Sequence, residues 1–97
     1  MALDNDNIEF RYDTQLLLDA DNPSDDLEDE LDAYIREHFK GDSLLVIADE
    51  DENGVMTAKL HFHTNEPWLI LEYCRTLGEI YDIVVEDMVR QSRGQKG

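Results

Sequence analysis

The stretch KLHFHTNEPWLILEYCRTLG, residues 59–78, contains two hydrophobic periods that meet near its middle. In its first part, polar and apolar side chains alternate, which is the period of a β-strand. Leu60 and Phe62 are therefore expected on one face of a strand. His61 and His63 point together from the opposite face. This alternation decides which side chains enter the core and which stay outside it.

The second part has the period of an α-helix. Pro67 suits the first helical turn, where its missing N–H costs no hydrogen bond, and Gly78 favours a helix end. We expect Trp68 to pack on the sheet and Cys74 to be a buried, inert thiol. The apolar side of this helix is formed by Trp68, Ile70, Leu71, Cys74 and Leu77.

The rest of the chain contains three further strand patterns and one further helix, for which Asn22 is the expected N-cap. The predicted order βαββαβ is the ferredoxin-like α+β plan, with a four-stranded antiparallel sheet and both helices on one face. The first and third strands are expected to be central neighbours, parallel to each other. The predicted strands cover residues 10–18, 43–48, 55–63 and 80–88. This other helix is expected to begin with Pro23 in its first turn and to stop at Gly41.

A chain of 97 residues is expected to form a single domain over residues 1–97. We expect an ordered core over about residues 8–91, with tails at residues 1–7 and 92–97. The single cysteine favours a reducing, cytoplasmic location. The net charge of −16 argues against nucleic-acid partners and against anionic lipid. No apolar run has the length that membrane insertion requires.

The same alternation places three potential metal ligands on the open face of the central strand pair: Asp13, His61 and His63. Two imidazoles and one carboxylate are a plausible ligand set for Zn²⁺. Spacing alone favours an exposed polar pair, or histidines at a subunit interface, because the His-x-His pattern is common by chance. Both alternatives remain open from the residues alone.

An acidic segment between two of the predicted strands has the pattern Asp49-x-Asp51-x-Asn53-Gly54. It resembles half of a calcium loop, but its twelfth position is Leu60 where a bidentate Glu is needed. A hairpin turn explains the Asn-Gly pair better. The sequence also contains no Gly-rich phosphate loop, nucleophile elbow or dinucleotide fingerprint, so it predicts no nucleotide site, no organic-cofactor site and no catalytic residues acting in isolation. Zn²⁺ is the cofactor that stays possible.

Three segments together resemble the middle domain of the bacterial fatty acid kinase catalytic subunit, in the dihydroxyacetone-kinase-like family. They are GDSLLVIADED (41–51), KLHFHTNEP (59–67) and LEYCRTLGEIYDIVVEDMVRQ (71–91). The resemblance extends over residues 10–91.

The resemblance implies that a metal-binding or catalytically required Cys-His-His cluster of that family corresponds here to Asp13, His61 and His63. The chain departs from the family in having Asp13 in place of the cysteine and Gln15 in place of an acid. It also lacks the family's nucleotide-binding and carrier-docking domains. The resemblance therefore implies a domain that is not catalytic alone.

The resulting hypothesis is an accessory domain of a fatty-acid-kinase-like system, a phosphotransferase only within a longer chain. It would act with the other domains or subunits of that system and form a homodimer through apolar residues of the open face, namely Leu17, Leu45, Ile47 and Val84 or Val85. The alternative is a free-standing ferredoxin-like module that is regulatory or metal-binding. A third hypothesis, an acid–base enzyme, lacks an enclosing pocket.

Overall fold

The structure is a computed structural model that describes residues 8–97, so the predicted tail at residues 1–7 lies outside the described residues. The four strands form one sheet in the order β2-β3-β1-β4, and every neighbouring pair is antiparallel. The predicted α+β class and strand order are confirmed. The elements are β1 (Tyr12–Ala20), α1 (Leu27–His38), β2 (Gly41–Glu50), β3 (Met56–Thr64), α2 (Pro67–Arg75), β4 (Gly78–Asp87) and α3 (Met88–Ser92).

The expected parallel direction of the two central strands is wrong. β1 and β3 are neighbours, as predicted, but they pair antiparallel. Helix α1 is a crossover connection that returns the chain so that β2 runs in the same direction as β1. The hairpin after β2 then reverses the chain, and β3 inserts between β1 and β2, antiparallel to both.

The core lies between one face of this sheet and helices α1 and α2. Alternate residues of the central strands are buried there, as the sequence predicts, and each large aliphatic or aromatic side chain buried in this way contributes about 1.5–3 kcal/mol. The other face of the sheet, called here the open face, is not part of this core. The core residues are Leu16, Leu18, Leu27, Leu31, Ile35, Val46, Ala58, Leu60, Phe62, Ile70 and Cys74.

Helix α1 begins later than the sequence predicts. Asn22 is not its cap, because this residue adopts a positive φ of 47° and belongs to the preceding loop. The Ser24 hydroxyl accepts a hydrogen bond from the Asp26 N–H (3.2 Å) and donates one to the Glu30 carboxylate (2.8 Å). Local side-chain bonds of this kind favour a turn and delay the helix until Leu27.

Helix α2 contradicts one expectation and confirms another. It buries Pro67, Ile70 and Cys74, a spacing of three and four residues that turns Trp68 outward. Trp68 is 57% exposed, so its expected packing on the sheet is wrong. Cys74 is fully buried, and burial raises the pKa of its thiol to about 12. The thiol therefore stays protonated and inert, as predicted.

The acidic turn between β2 and β3 is a hairpin connection. One carboxylate oxygen of Asp51 accepts hydrogen bonds from the N–H groups of Asn53 (2.8 Å) and Val55 (2.9 Å). Gly54 adopts a φ of 83°, which glycine tolerates best. These contacts explain the Asp-x-Asp-x-Asn-Gly pattern as turn chemistry.

The short helix α3 is not predicted by the sequence pattern. Asp87 ends β4 and caps α3 by accepting a hydrogen bond from the Arg90 N–H (3.0 Å). Beyond it, the Arg90 side chain donates to the Lys96 carbonyl (2.8 Å).

Among the helices of residues 8–97, none is long and apolar enough to cross a membrane. The extent of the domain stays a prediction.

Candidate metal centre on the open face

Strand register arranges the open face in rows that run across all four strands. A cross-strand pair shares a face, so the register identifies which side chains are neighbours. From β2 to β4, one row consists of Asp42, His63, Asp13 and Glu86. The next row consists of Leu45, His61, Gln15 and Val84.

Asp13, His61 and His63 meet on this face, and they are called here the Asp-His-His cluster. The Nε2 atoms of His61 and His63 lie 3.0 Å apart. Asp13 Oδ1 lies 3.1 Å from His61 Nε2 and 3.9 Å from His63 Nε2. The convergence expected from alternation is therefore present, although the antiparallel pairing that produces it differs from the expected parallel arrangement.

The geometry of the cluster suits a metal ion. In tetrahedral Zn²⁺ sites, ligand distances of about 2.0–2.1 Å separate the ligand atoms by about 3.3–3.4 Å. The three distances in the cluster, 3.0, 3.1 and 3.9 Å, bracket that separation. Within residues 8–97, this trio is the group of potential ligands whose donor atoms all lie within 4.8 Å of one another.

The cluster is partly accessible from solvent. The Asp13 side chain is 18% exposed and the His61 side chain is 34% exposed. Three protein ligands leave at least one coordination position free, and the accessible side of the cluster is where water or a substrate atom would occupy it. A donor set of this kind is open, unlike a structural site closed by four protein ligands.

Two further side chains contact the cluster, and neither is among the ligands predicted from the sequence. The Gln15 amide donates to both carboxylate oxygens of Asp13, each at 3.4 Å. Asp42 Oδ1 lies 3.6 Å from His63 Nδ1, on the side of the ring that faces away from the cluster. Alternation along β1 is enough to place Gln15 beside Asp13. Alternation along β2 does not predict the position of Asp42, because the register of β2 against β3 is irregular between Asp42 and Leu45.

The loop after β3 holds the cluster strands in position. The Thr64 hydroxyl donates to the Lys40 carbonyl (2.9 Å), and this hydroxyl also accepts from the Glu66 N–H (3.2 Å). The Asn65 side chain accepts from the Arg11 N–H (2.8 Å) and donates to the Glu9 carbonyl (3.0 Å). The Thr-Asn pair thus joins the end of β3 to the segments that precede β2 and β1.

Gly41 allows β2 to approach β3 closely. A Cβ atom at this position would clash with the His63 carbonyl oxygen and with the Phe62 ring. A side chain here would therefore force the strands apart. The glycine therefore determines how near Asp42, the next residue, comes to His63.

A charged pair connects the start of β1 with the end of β4. The Nε atom of Arg11 donates to both oxygens of Asp87, at 3.0 and 2.9 Å, and a second guanidinium nitrogen lies 2.8 Å from Asp87 Oδ2. The hydrogen bond from Arg11 holds the pKa of Asp87 below its usual value. In return, it raises the pKa of Arg11.

A second polar group lies at the opposite end of the open face. Asp19 Oδ1 accepts hydrogen bonds from the Thr57 hydroxyl (2.8 Å) and the Tyr81 hydroxyl (2.9 Å). The hydrogen bond to Asp19 raises the pKa of Tyr81. These three side chains satisfy one another, which makes this end of the face a cross-strand contact.

Residues 9–95 match the family of FakA-like middle domains of fatty acid kinase. The match covers every element of the fold and all three residues of the cluster. The chain belongs to this family. The suspected resemblance is confirmed.

A curated relative is similar over nearly the same region. The chain is 34% identical over 89 residues to Protein YloV of Bacillus subtilis (strain 168), an alignment that covers 92% of this chain. It covers 15% of the relative, so the chain spans about a seventh of that protein's length. The similarity therefore concerns one domain of a much longer polypeptide.

Proposed function

We propose that this domain is an accessory domain of a fatty-acid-kinase-like phosphotransferase, and that it is not catalytic alone. The family assignment supports this role, and the sequence has no phosphate-binding loop with which to hold a nucleotide. The observation that carries the proposal is the convergence of Asp13, His61 and His63 on the open face. A cluster presented outward is available to groups supplied by other domains or subunits.

The cluster would hold Zn²⁺ through Asp13 Oδ1 and the Nε2 atoms of His61 and His63. A bound Zn²⁺ supplies Lewis-acid polarisation of an oxygen atom or activation of a water molecule. Gln15 would restrain the Asp13 carboxylate through its amide, and β3, which carries both histidines, would hold the imidazoles at a fixed separation. A carboxylate is a harder ligand than the thiolate at the matching family position, so the site favours borderline metals over soft ones.

The open face would also carry the association surface. Leu45 and Ile47 are 53% and 51% exposed, and they lie on the same face as the cluster. A second copy that covers these side chains would remove apolar area from water and enclose the cluster at the same time. We therefore propose a homodimer through the open face. The cytoplasmic location expected from the single cysteine is part of the same proposal.

The metal proposal is tested by purification without chelator, followed by mass spectrometry and a Zn²⁺ titration. The wild-type domain is expected to bind about one Zn²⁺ per chain, and a ligand at 100 times its Kd stabilises the fold by about 2.7 kcal/mol. The double variant His61→Ala, His63→Ala is expected to lose both effects.

His38→Ala is the matched control, because His38 lies on α1, where its ring contacts Tyr34. This variant is expected to keep full Zn²⁺ binding. A wild-type protein that contains no metal and shows no change in melting temperature when Zn²⁺ is added contradicts the proposed site.

A further inference from the structure

His63 has two ring nitrogens that face different groups. Its Nε2 atom points into the cluster, whereas its Nδ1 atom faces Asp42 Oδ1 at 3.6 Å. We propose that Asp42 is a positioning residue: its carboxylate accepts a hydrogen bond from the Nδ1–H group of His63 and so directs the Nε2 lone pair into the cluster. The consequence for metal binding rests on the proposed Zn²⁺ site, but the effect on His63 itself does not.

The protons of the cluster follow from its distances. Two Nε2 atoms at 3.0 Å cannot both carry hydrogen, because two N–H groups would then face each other. Asp13 Oδ1 is an acceptor and lies nearer to His61 Nε2 (3.1 Å) than to His63 Nε2 (3.9 Å). In the metal-free cluster the shared proton therefore belongs to His61, and the Nε2 atom of His63 is the acceptor. A Zn²⁺ ion at the cluster would displace this proton, so His61 would bind through Nε2 with its hydrogen on Nδ1.

A neutral imidazole whose Nε2 accepts must carry its proton on Nδ1. The group beside Nδ1 of His63 is the Asp42 carboxylate, which is acceptor-only when ionised. The opposite tautomer would bring the Nδ1 lone pair towards the carboxylate lone pairs, which repel it. The two sides of the His63 ring thus favour the same tautomer.

The backbone conformation around Asp42 places its side chain beside His63. Gly41 approaches the His63 carbonyl too closely for any side chain, and Ser43 adopts a positive φ of 56°. The register of β2 against β3 is irregular between Asp42 and Leu45, while Asp42 remains directly paired with His63. The Asp42 side chain is 57% exposed, and the proposed hydrogen bond requires its 3.6 Å distance to His63 Nδ1 to shorten to about 3 Å.

This arrangement prepares His63 to act as a metal ligand. A histidine ligand must present an unprotonated nitrogen, and a carboxylate on its other nitrogen sets the tautomer and raises its basicity. Loss of such a partner typically lowers metal affinity about 10–100-fold. Asp42 would act in this way without touching the metal.

The first experiment uses metal-free protein and ¹⁵N NMR of the imidazoles, at a pH where their shifts no longer change. The wild-type domain is expected to show His63 with its proton on Nδ1 and His61 with its proton on Nε2. Asp42→Ala is expected to shift His63 towards the Nε2–H form. Asp42→Asn, which keeps an acceptor oxygen, is expected to retain the wild-type tautomer.

Asp49→Asn is the matched control, since Asp49 is an exposed acid on the same strand and pairs with Thr57 away from the cluster. It removes one negative charge without removing the acceptor beside His63, so the tautomer is expected not to change. Two results overturn the inference, whether or not the site binds Zn²⁺. One is a wild-type His63 that carries its proton on Nε2, and the other is a His63 tautomer that does not change in Asp42→Ala.

The second experiment measures Zn²⁺ affinity by competition titration. Asp42→Ala is expected to bind about 10–100-fold more weakly than wild type, with most of the loss restored in Asp42→Asn. Equal losses in Asp42→Ala and Asp42→Asn would assign the effect to charge and overturn positioning. If the wild-type protein shows the expected tautomer but no Zn²⁺ binding, the metal site fails while the role of Asp42 towards His63 stands.

Discussion

At the scale of single residues, the cluster depends on small side chains as much as on its ligands. Gly41 lets β2 lie against the His63 carbonyl, and the buried Thr64 hydroxyl bonds the carbonyl of Lys40 just before it. Both contacts hold the end of β3, on which His63 lies, against the start of β2.

The close approach at Gly41 leads to a stability prediction. Gly41→Ala would place a methyl group against a backbone carbonyl, which cannot rotate away as a side chain can, so we expect a loss of about 1–3 kcal/mol in the free energy of unfolding. Urea denaturation measures this loss. Lys40→Ala, a change in an exposed side chain next to it, is expected to stay within about 0.5 kcal/mol. If Gly41→Ala and Lys40→Ala change the free energy of unfolding equally, the backbone accommodates a methyl group at position 41 without loss of stability, which contradicts the prediction.

At the scale of elements, the ends of the strands are joined by specific polar contacts. Asn65 ties the loop after β3 to the segment before β1, and Arg11 in that segment pairs with Asp87 at the end of β4. Asp87 also caps α3. A polar network therefore joins the end of β3, the start of β1 and the end of β4, which lie at the same end of the sheet.

This network predicts how stability depends on pH. The pKa of Asp87 is lowered in the folded state, mainly by the hydrogen bond from Arg11. Its contribution is present above the ordinary aspartate range of about 4 and is lost as the pH falls through the lower, folded-state value. Asp87→Asn is expected to lower the melting temperature at pH 6 and to narrow the difference between pH 6 and pH 3.

The exposed pair between Arg36 and Asp32 on α1 provides the comparison, because it joins the same residue types four positions apart. Solvent and salt screen such a surface pair, so Asp32→Asn is expected to change the melting temperature at pH 6 less than Asp87→Asn does. If the melting temperature at pH 6 falls no further in Asp87→Asn than in Asp32→Asn, the pair of Arg11 and Asp87 behaves as an ordinary surface pair.

At the scale of the whole molecule, the two sides of the sheet have different roles. One side forms the core with α1 and α2, and the open face carries the cluster together with exposed aliphatic residues. The net charge of −16 opposes self-association at low salt, so an apolar contact has to overcome that repulsion.

The proposed homodimer makes a prediction at this scale. The wild-type domain is expected to sediment as a dimer at 0.15 M salt or above, and Leu45→Ser combined with Ile47→Ser is expected to shift it to monomer, because both substitutions remove exposed apolar area from the open face. Trp68→Ser removes a comparably exposed apolar side chain from α2 and is expected to leave the dimer intact. A wild-type monomer at all concentrations would leave the open face to other domains or subunits.

What the sequence determined by itself is the local pattern. Alternation in β1 and β3 is enough to separate Leu60 and Phe62 from His61 and His63, and the order of elements is enough to make β1 and β3 neighbours. These inferences succeed because side-chain direction in a strand depends only on the backbone period. The same period gives no information on the direction of pairing, which is why the parallel expectation was wrong.

Tertiary structure alone decided the rest. The outward position of Trp68 depends on which side of α2 meets the sheet, and the contact between Asp42 and His63 depends on an irregular register and on a close approach at Gly41. Each of these features arises from elements that are distant in sequence and are brought together by packing. The hydrophobic pattern of a strand or helix therefore indicates which face a residue lies on. Which residue it contacts on that face depends on the neighbouring strand or helix.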